Sequence, residues 1–184
     1  MSSLSFYDNK AVSRIGSIAF WAALYTELLL TLWDKSVFLN PWVSYFYRLT
    51  FFLCCIKIAS TAYTRREWMA LLIFGVMGVL SWRICGRNEI LRIVAFIAAC
   101  KGIEAKRLMK TTFWITLAGC LFLVVCSLAG WFGVVSVTGE PRGGGVVMTR
   151  YCLGLGHPNA LHCMFWAVLT LGLYLYDERL DWRC

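Results

Sequence analysis

Charge is what this sequence has least of. Only 15% of its 184 residues are charged against 60% hydrophobic, and the mean hydropathy is +0.67. A soluble domain needs a polar face on most of its elements, so apolar residues in blocks this long exclude a soluble fold. Acidic residues are the rarer sign, ten Asp and Glu against eighteen Lys and Arg. A net charge of +8 can mark a nucleic-acid partner. Here the basic residues sit at the ends of apolar runs, where membrane orientation and anionic head groups account for them, and no nucleic acid is expected.

Other absences narrow the chemistry. Nine cysteines are present, yet there is no Cys-x-x-Cys and no Cys/His cluster with metal-ligand spacing, so no metal site is expected. Cys54, Cys55, Cys100, Cys120, Cys126 and Cys163 lie in apolar runs, where a thiol behaves as a small hydrophobe. Of the other three, Cys85, Cys152 and Cys184, only Cys152 and Cys85 are expected to face an exterior, and an odd count argues against a disulfide framework. Ser/His/Asp arrangements are missing, and Gly143, Gly144 and Gly145 lack the lysine and threonine of a phosphate loop. The run after Lys10 and Arg14 is too long for a signal-peptide core and has no small-residue cleavage site. No internal repeat or low-complexity tract is visible.

What is there is a series of apolar runs. Stretches of about 18 or more apolar residues read as spanning helices, and the sequence predicts an all-α, polytopic membrane bundle of about six helices in one domain, 1–184. The expected spans are 15–33, 42–64, 68–84, 88–100, 111–133 and 160–176, with an outer loop at 134–159. The fourth is the shortest, and if it does not cross, every later orientation inverts. Basic residues outnumber those of the other side by about two to one when both termini are placed in the cytoplasm. The densest cluster, Lys101, Lys106, Arg107 and Lys110, then falls inside, and the Gly-rich loop falls outside. The expected location is the cytoplasmic membrane, multi-pass.

Several polar residues interrupt these runs. Arg48 and Lys57 lie about two and a half turns apart in the second span and project from roughly opposite faces. Either one lines a path for an anionic lipid-linked substrate, or both snorkel to opposite interfaces. Glu27 in the first span requires a partner, with Arg48, Lys57 and Arg92 as candidates, and pairing is the favoured reading. Asn88 and Glu89 suit the start of the fourth helix as cap and dipole partner. His162 reads as a packed core histidine.

The densest constellation is Arg150-Tyr151-Cys152-Leu153-Gly154-Leu155-Gly156-His157-Pro158-Asn159, running directly into the last apolar stretch. Proline fits a first helical turn, asparagine fits its cap, and His157 is pushed to extended geometry by Pro158. Those roles leave Arg150 and His157 unexplained. Arginine supplies a fork that matches phosphate or pyrophosphate, and histidine is poised to move a proton near neutral pH. Arg150 and His157 are therefore the candidate catalytic residues. Arg48, Arg142 and Asn159 are the candidate substrate contacts.

This segment, opening a membrane helix, resembles one seen in bacterial polysaccharide polymerases of the O-antigen polymerase/ligase superfamily. The upstream Arg87-Asn88-Glu89-Ile90-Leu91, closing at Lys101-Gly102-Ile103, is similar to their short helix. The resemblance implies a glycosyltransferase that joins repeat units carried on undecaprenyl pyrophosphate at the outer membrane face. It implies no nucleotide sugar, no cofactor and no obligatory metal. Membrane lipids and other polysaccharide-assembly membrane proteins are the implied partners. Family members usually have more spans than six, with a catalytic outer loop in their second half, so the expectation is the N-terminal part of such an enzyme. The alternative is a non-catalytic accessory or lipid-binding membrane protein, in which the Gly-His-Pro-Asn segment only starts a helix.

Overall fold

The computed structural model describes residues 10–36, 42–139 and 147–177, and the protein is mostly helical over them. In chain order the elements are α1 (Lys10–Asp34), α2 (Val43–Ala59), α3 (Arg65–Cys85), α4 (Glu89–Ala99), α5 (Ala105–Leu128), β1 (Ser136–Gly139), β2 (Met148–Tyr151) and α6 (Pro158–Tyr176). By length and composition α1, α3, α5 and α6 can each cross a membrane, and the chain reads as a helical membrane protein. The other two expected spans are shorter than their apolar runs suggested. α2 has 17 residues, and α4 has 11, about 16 Å of helix against a hydrocarbon core of about 30 Å.

Local chemistry sets the helix ends. Thr64 and Glu67 form a reciprocal capping box at the start of α3: the Glu67 N–H donates to Thr64 Oγ1 at 3.3 Å, and the Thr64 N–H donates to Glu67 Oε2 at 2.6 Å. Gly86, left-handed at φ 68°, stops α3. α5 starts at Ala105 rather than 111, because Lys106, Arg107 and Lys110 are good helix formers on exposed positions of its first turns. It stops at Leu128 rather than 133, because Gly130 and Gly133 adopt φ of 71° and 81°. Asn88 precedes α4 but its side chain makes no capping hydrogen bond. The two short strands were not foreseen. They pair antiparallel, with Ser136 opposite Tyr151 and Val137 opposite Arg150.

The chain divides into two compact units, 1–27 with 44–103 and 28–43 with 104–184, and α1 contributes to both. In the first unit neighbouring helices run antiparallel. Thr50 on α2 donates to Glu27 Oε2 at 2.7 Å, while Gly16 lies against Ser60. Gly78 on α3 brings its backbone against Leu91 on α4. The far ends of that pair are tied together: Tyr63 donates to the Ala98 carbonyl at 2.9 Å, and Lys101 pairs with Glu67 at 2.5 Å. Short as it is, α4 therefore returns the chain to the end where α3 began.

Glu27 finds Arg92 among its three candidate partners. The Arg92 guanidinium also lies 3.7 Å from the Tyr47 ring centroid, so burial of both charges is offset by pairing, the Thr50 hydroxyl and the aromatic face. Around this core α3 presents Leu72, Phe74, Val76 and Leu80 to its surroundings, as a lipid-facing helix does.

In the second unit α5 and α6 are antiparallel, with Phe113 against Tyr176 and Gly172. Gly119 on α5 accommodates Leu32 from the last turns of α1.

Candidate functional site

The second unit builds its site where α1 ends, α5 ends and α6 begins. α1 is closed by Ser36, whose N–H and hydroxyl both donate to the Trp33 carbonyl, at 3.0 and 2.6 Å. Beyond β2 the chain folds into a tight coil. The N–H groups of Cys152 and Leu153 share the Val135 carbonyl, Gly154 N–H donates to Val134, and the buried Cys152 thiol donates to Val134 O at 3.2 Å. Cys152 was expected at an exterior surface, but this hydrogen-bonded turn folds over it.

Two glycines make the coil possible. Gly154 (φ 84°) sits so close to α5 that a Cβ there would lie 2.7 Å from the Leu123 carbonyl oxygen. At Gly156 (φ 48°) a Cβ would lie 3.3 Å from the Ser36 carbonyl oxygen. Leu153 between them and the strand also adopts a left-handed φ of 45°, a conformation that costs a non-glycine residue about 1–3 kcal/mol. Leu155, almost wholly buried, anchors the coil.

The coil delivers His157 in extended geometry (φ −146°, ψ 140°) as the N-cap of α6, with Pro158 in the first turn. His157 Nδ1 accepts the Asn159 N–H at 3.1 Å. The expected assignment of the cap to Asn159 is thereby corrected. Pro158 fixes the extended geometry that points the imidazole back over the helix start, and Asn159 contributes its backbone. His162 is exposed rather than packed in a core, with Nδ1 2.8 Å from the Pro158 carbonyl oxygen one turn earlier.

Two clefts meet at His157. The larger, about 600 Å³, has Asp34, Lys35 and Ser36 on one side and His157, Asn159 and Cys163 on the other, over a floor that includes Leu155 and Met164. The smaller, about 250 Å³, is formed by the hairpin residues Val137, Thr138, Met148 and Arg150 with His157 and Pro158. Leu155 and Met164 also wall an entirely apolar pocket of about 180 Å³ between α5 and α6. Clefts that carry a few polar groups on largely apolar walls thus adjoin a wholly apolar one.

Of the expected site residues, Arg150 and His157 share the smaller cleft, and His157 and Asn159 share the larger. Arg150 is exposed on β2, with no hydrogen bond or ion pair from its side chain among the described residues. Arg48 belongs to the first unit, where its guanidinium lies 5.5 Å from the Tyr45 ring centroid. Arg142 lies outside the described residues. Sequence reasoning missed Asp34 and Lys35, which pair at 3.4 Å on the cleft wall. Their signal was a charged pair directly at the end of an apolar run.

No family model, curated protein or solved structure matches this chain. The chemistry of the site therefore rests on its own residues.

Proposed function

We propose that this chain is part of a membrane glycosyltransferase of polysaccharide-polymerase type, acting on repeat units carried by undecaprenyl pyrophosphate. One observation carries the reading: the cleft holding Lys35, His157 and Asn159 shares Leu155 and Met164 with an apolar pocket. A polar head on an apolar tail calls for that pair of spaces. In this reading the Arg150 guanidinium neutralises the pyrophosphate as the bond from the anomeric carbon to phosphate oxygen breaks. The acceptor hydroxyl oxygen forms the new bond to that carbon and gives its proton to His157 Nε2, since Nδ1 is held by the Asn159 N–H. Asn159 and Arg142 contact the sugar, and Arg48 supports a lipid-phosphate path. The proposal includes six crossings of the cytoplasmic membrane, the α3–α4 return counting as two, with the hairpin outside and the cluster at 101–110 inside. Other polysaccharide-assembly membrane proteins are its partners.

A second reading is favoured by the His157 contact itself. A histidine whose ring nitrogen caps a helix has a structural duty, which suits a non-catalytic lipid-binding or accessory protein. His157→Asn separates the two, because asparagine is among the best N-caps and cannot relay a proton at neutral pH. The measurement is polymer length in cells lacking the native gene, beside a melting curve in detergent. His157→Asn is expected to melt like the wild type and make no polymer, while Arg150→Lys loses most activity because a point charge cannot copy the fork. Asn159→Ala is expected to melt normally, since only its backbone serves the cap. Normal polymer from His157→Asn would sink the catalytic assignment and leave the second reading.

A further inference from the structure

The charges of α5 set a depth scale for the second unit. Lys110 is the last of them, and a hydrocarbon core of about 30 Å takes about 20 helical residues, so the far boundary of the bilayer falls close to residue 130. The helix stops at Leu128, but the chain does not then rise away into water. With Gly130 left-handed, the Trp131 N–H turns back to the Cys126 carbonyl at 3.0 Å. The Phe132 ring lies 5.8 Å from that of Phe122, more than a turn back along the helix. Gly133 meets Gly154, and Gly154 rests on the Leu123 carbonyl, about 7.5 Å short of the end of α5.

The base of the hairpin and the coil that follows it therefore lie beside the last turns of α5, at bilayer depth. Irregular backbone is tolerated there only when its polar groups are satisfied. The N–H groups of Cys152 and Leu153 go to Val135, that of Gly154 to Val134, that of Leu155 to Cys152 and that of His157 to Leu155. The side chains agree with this depth. Across 129–139 and 147–156 the only charge is Arg150, and charge resumes at Glu140 and Arg142. Trp131, 75% exposed, Val134, and Tyr151, 64% exposed, present apolar surface that would be a liability in water. Tryptophan and tyrosine at the end of a crossing helix are the residues that anchor at the membrane boundary. Through the Phe122–Phe132 contact this surface continues the lipid-facing side of α5.

We infer that the base of the hairpin is a lipid-binding surface, with Trp131 and Tyr151 seated at the boundary of head groups and acyl chains and the strand ends at Gly139 and Met148 reaching outward. Its occupant is the bilayer that α5 crosses. The inference rests on the depth of α5 and on no activity, and it places both clefts at His157 close to head-group depth, whatever they bind.

The test exposes the unmodified full-length chain, one copy per phosphatidylcholine nanodisc, to hydroxyl radicals and reads oxidation at each residue by mass spectrometry. Trp166, 61% exposed on α6, is the internal standard for a tryptophan covered by acyl chains. Trp131 is expected to be oxidised no more than threefold above Trp166. A larger excess means that Trp131 stands in water and overturns the inference, and this arm needs no substitution that could misfold. Spin labels at Trp131→Cys, Tyr151→Cys and Thr138→Cys, in a cysteine-free background, then show what covers the surface. Oxygen dissolves among acyl chains, whereas a nickel chelate stays in water. Labels at 131 and 151 are expected to collide with oxygen at least threefold more than with the chelate, and the label at 138 to do the reverse. Shielding of 131 and 151 from both reagents would mean that protein covers them, which also overturns the inference, as does a label at 151 that behaves like the one at 138.

Discussion

Glu27 and Arg92 illustrate what one substitution does when a charge is held at helix depth. Both side chains are largely covered, at 27% and 20% exposure, and each neutralises the other. Glu27→Ala leaves the guanidinium with only the Tyr47 face, a loss of about 3 kcal/mol on the scale of broken buried pairs. Adding Arg92→Met should recover most of that loss in the same detergent melt, because removing both charges is far cheaper than stranding one. If the single and double variants melt alike, the pair contributes nothing as a pair. At this scale the sequence was legible in part. It showed that Glu27 needed a cation and offered three, but choosing among them requires the packing of α1 against α4. His157 was legible as a special residue, but its part as the cap of α6 was not, since a ring nitrogen acting as a helix cap depends on the extended backbone that Pro158 imposes.

Element boundaries follow from backbone rules, and the coil before α6 is where those rules are tightest. Gly154→Ala places a methyl at left-handed φ and against the Leu123 carbonyl oxygen, a cost of about 1–3 kcal/mol. Gly139→Ala, with nothing within 4 Å of its added carbon, should be close to neutral in the same melt. Equal melting of the two variants would mean the coil does not rest on α5. The apolar helices were readable from run length because lipid-facing elements need no alternation. The hairpin was not, because four-residue strands exposed on both faces carry no period-two pattern. α5 ran further into its basic residues than hydropathy suggests, since hydropathy scores side chains while helix formation counts backbone.

For the whole molecule the decisive quantity is the number of crossings before the hairpin. Hydropathy alone left α4 ambiguous, whereas the contacts of Tyr63 with Ala98 and Lys101 with Glu67 tie its end to the start of α3. In a cysteine-free background, Glu104→Cys and Thr138→Cys are expected to label from opposite faces of the membrane. An impermeant maleimide should reach Thr138→Cys in intact cells, and Glu104→Cys only after permeabilisation. Labelling of both from one side would mean that α5 does not cross, and the reverse pattern would mean the orientation is inverted.

The sharing of α1 between two units has a consequence for synthesis. Its first turns are matched as soon as α2 and α4 emerge, but Leu32 waits for Gly119 and Ser36 waits for Gly156. Throughout most of translation the last turns of the first helix therefore stand in the insertion machinery or in lipid with their eventual neighbours unmade. A chain of which residues up to 103, but not yet residue 119, have left the ribosome would hold a first unit already assembled and a helix end still seeking company.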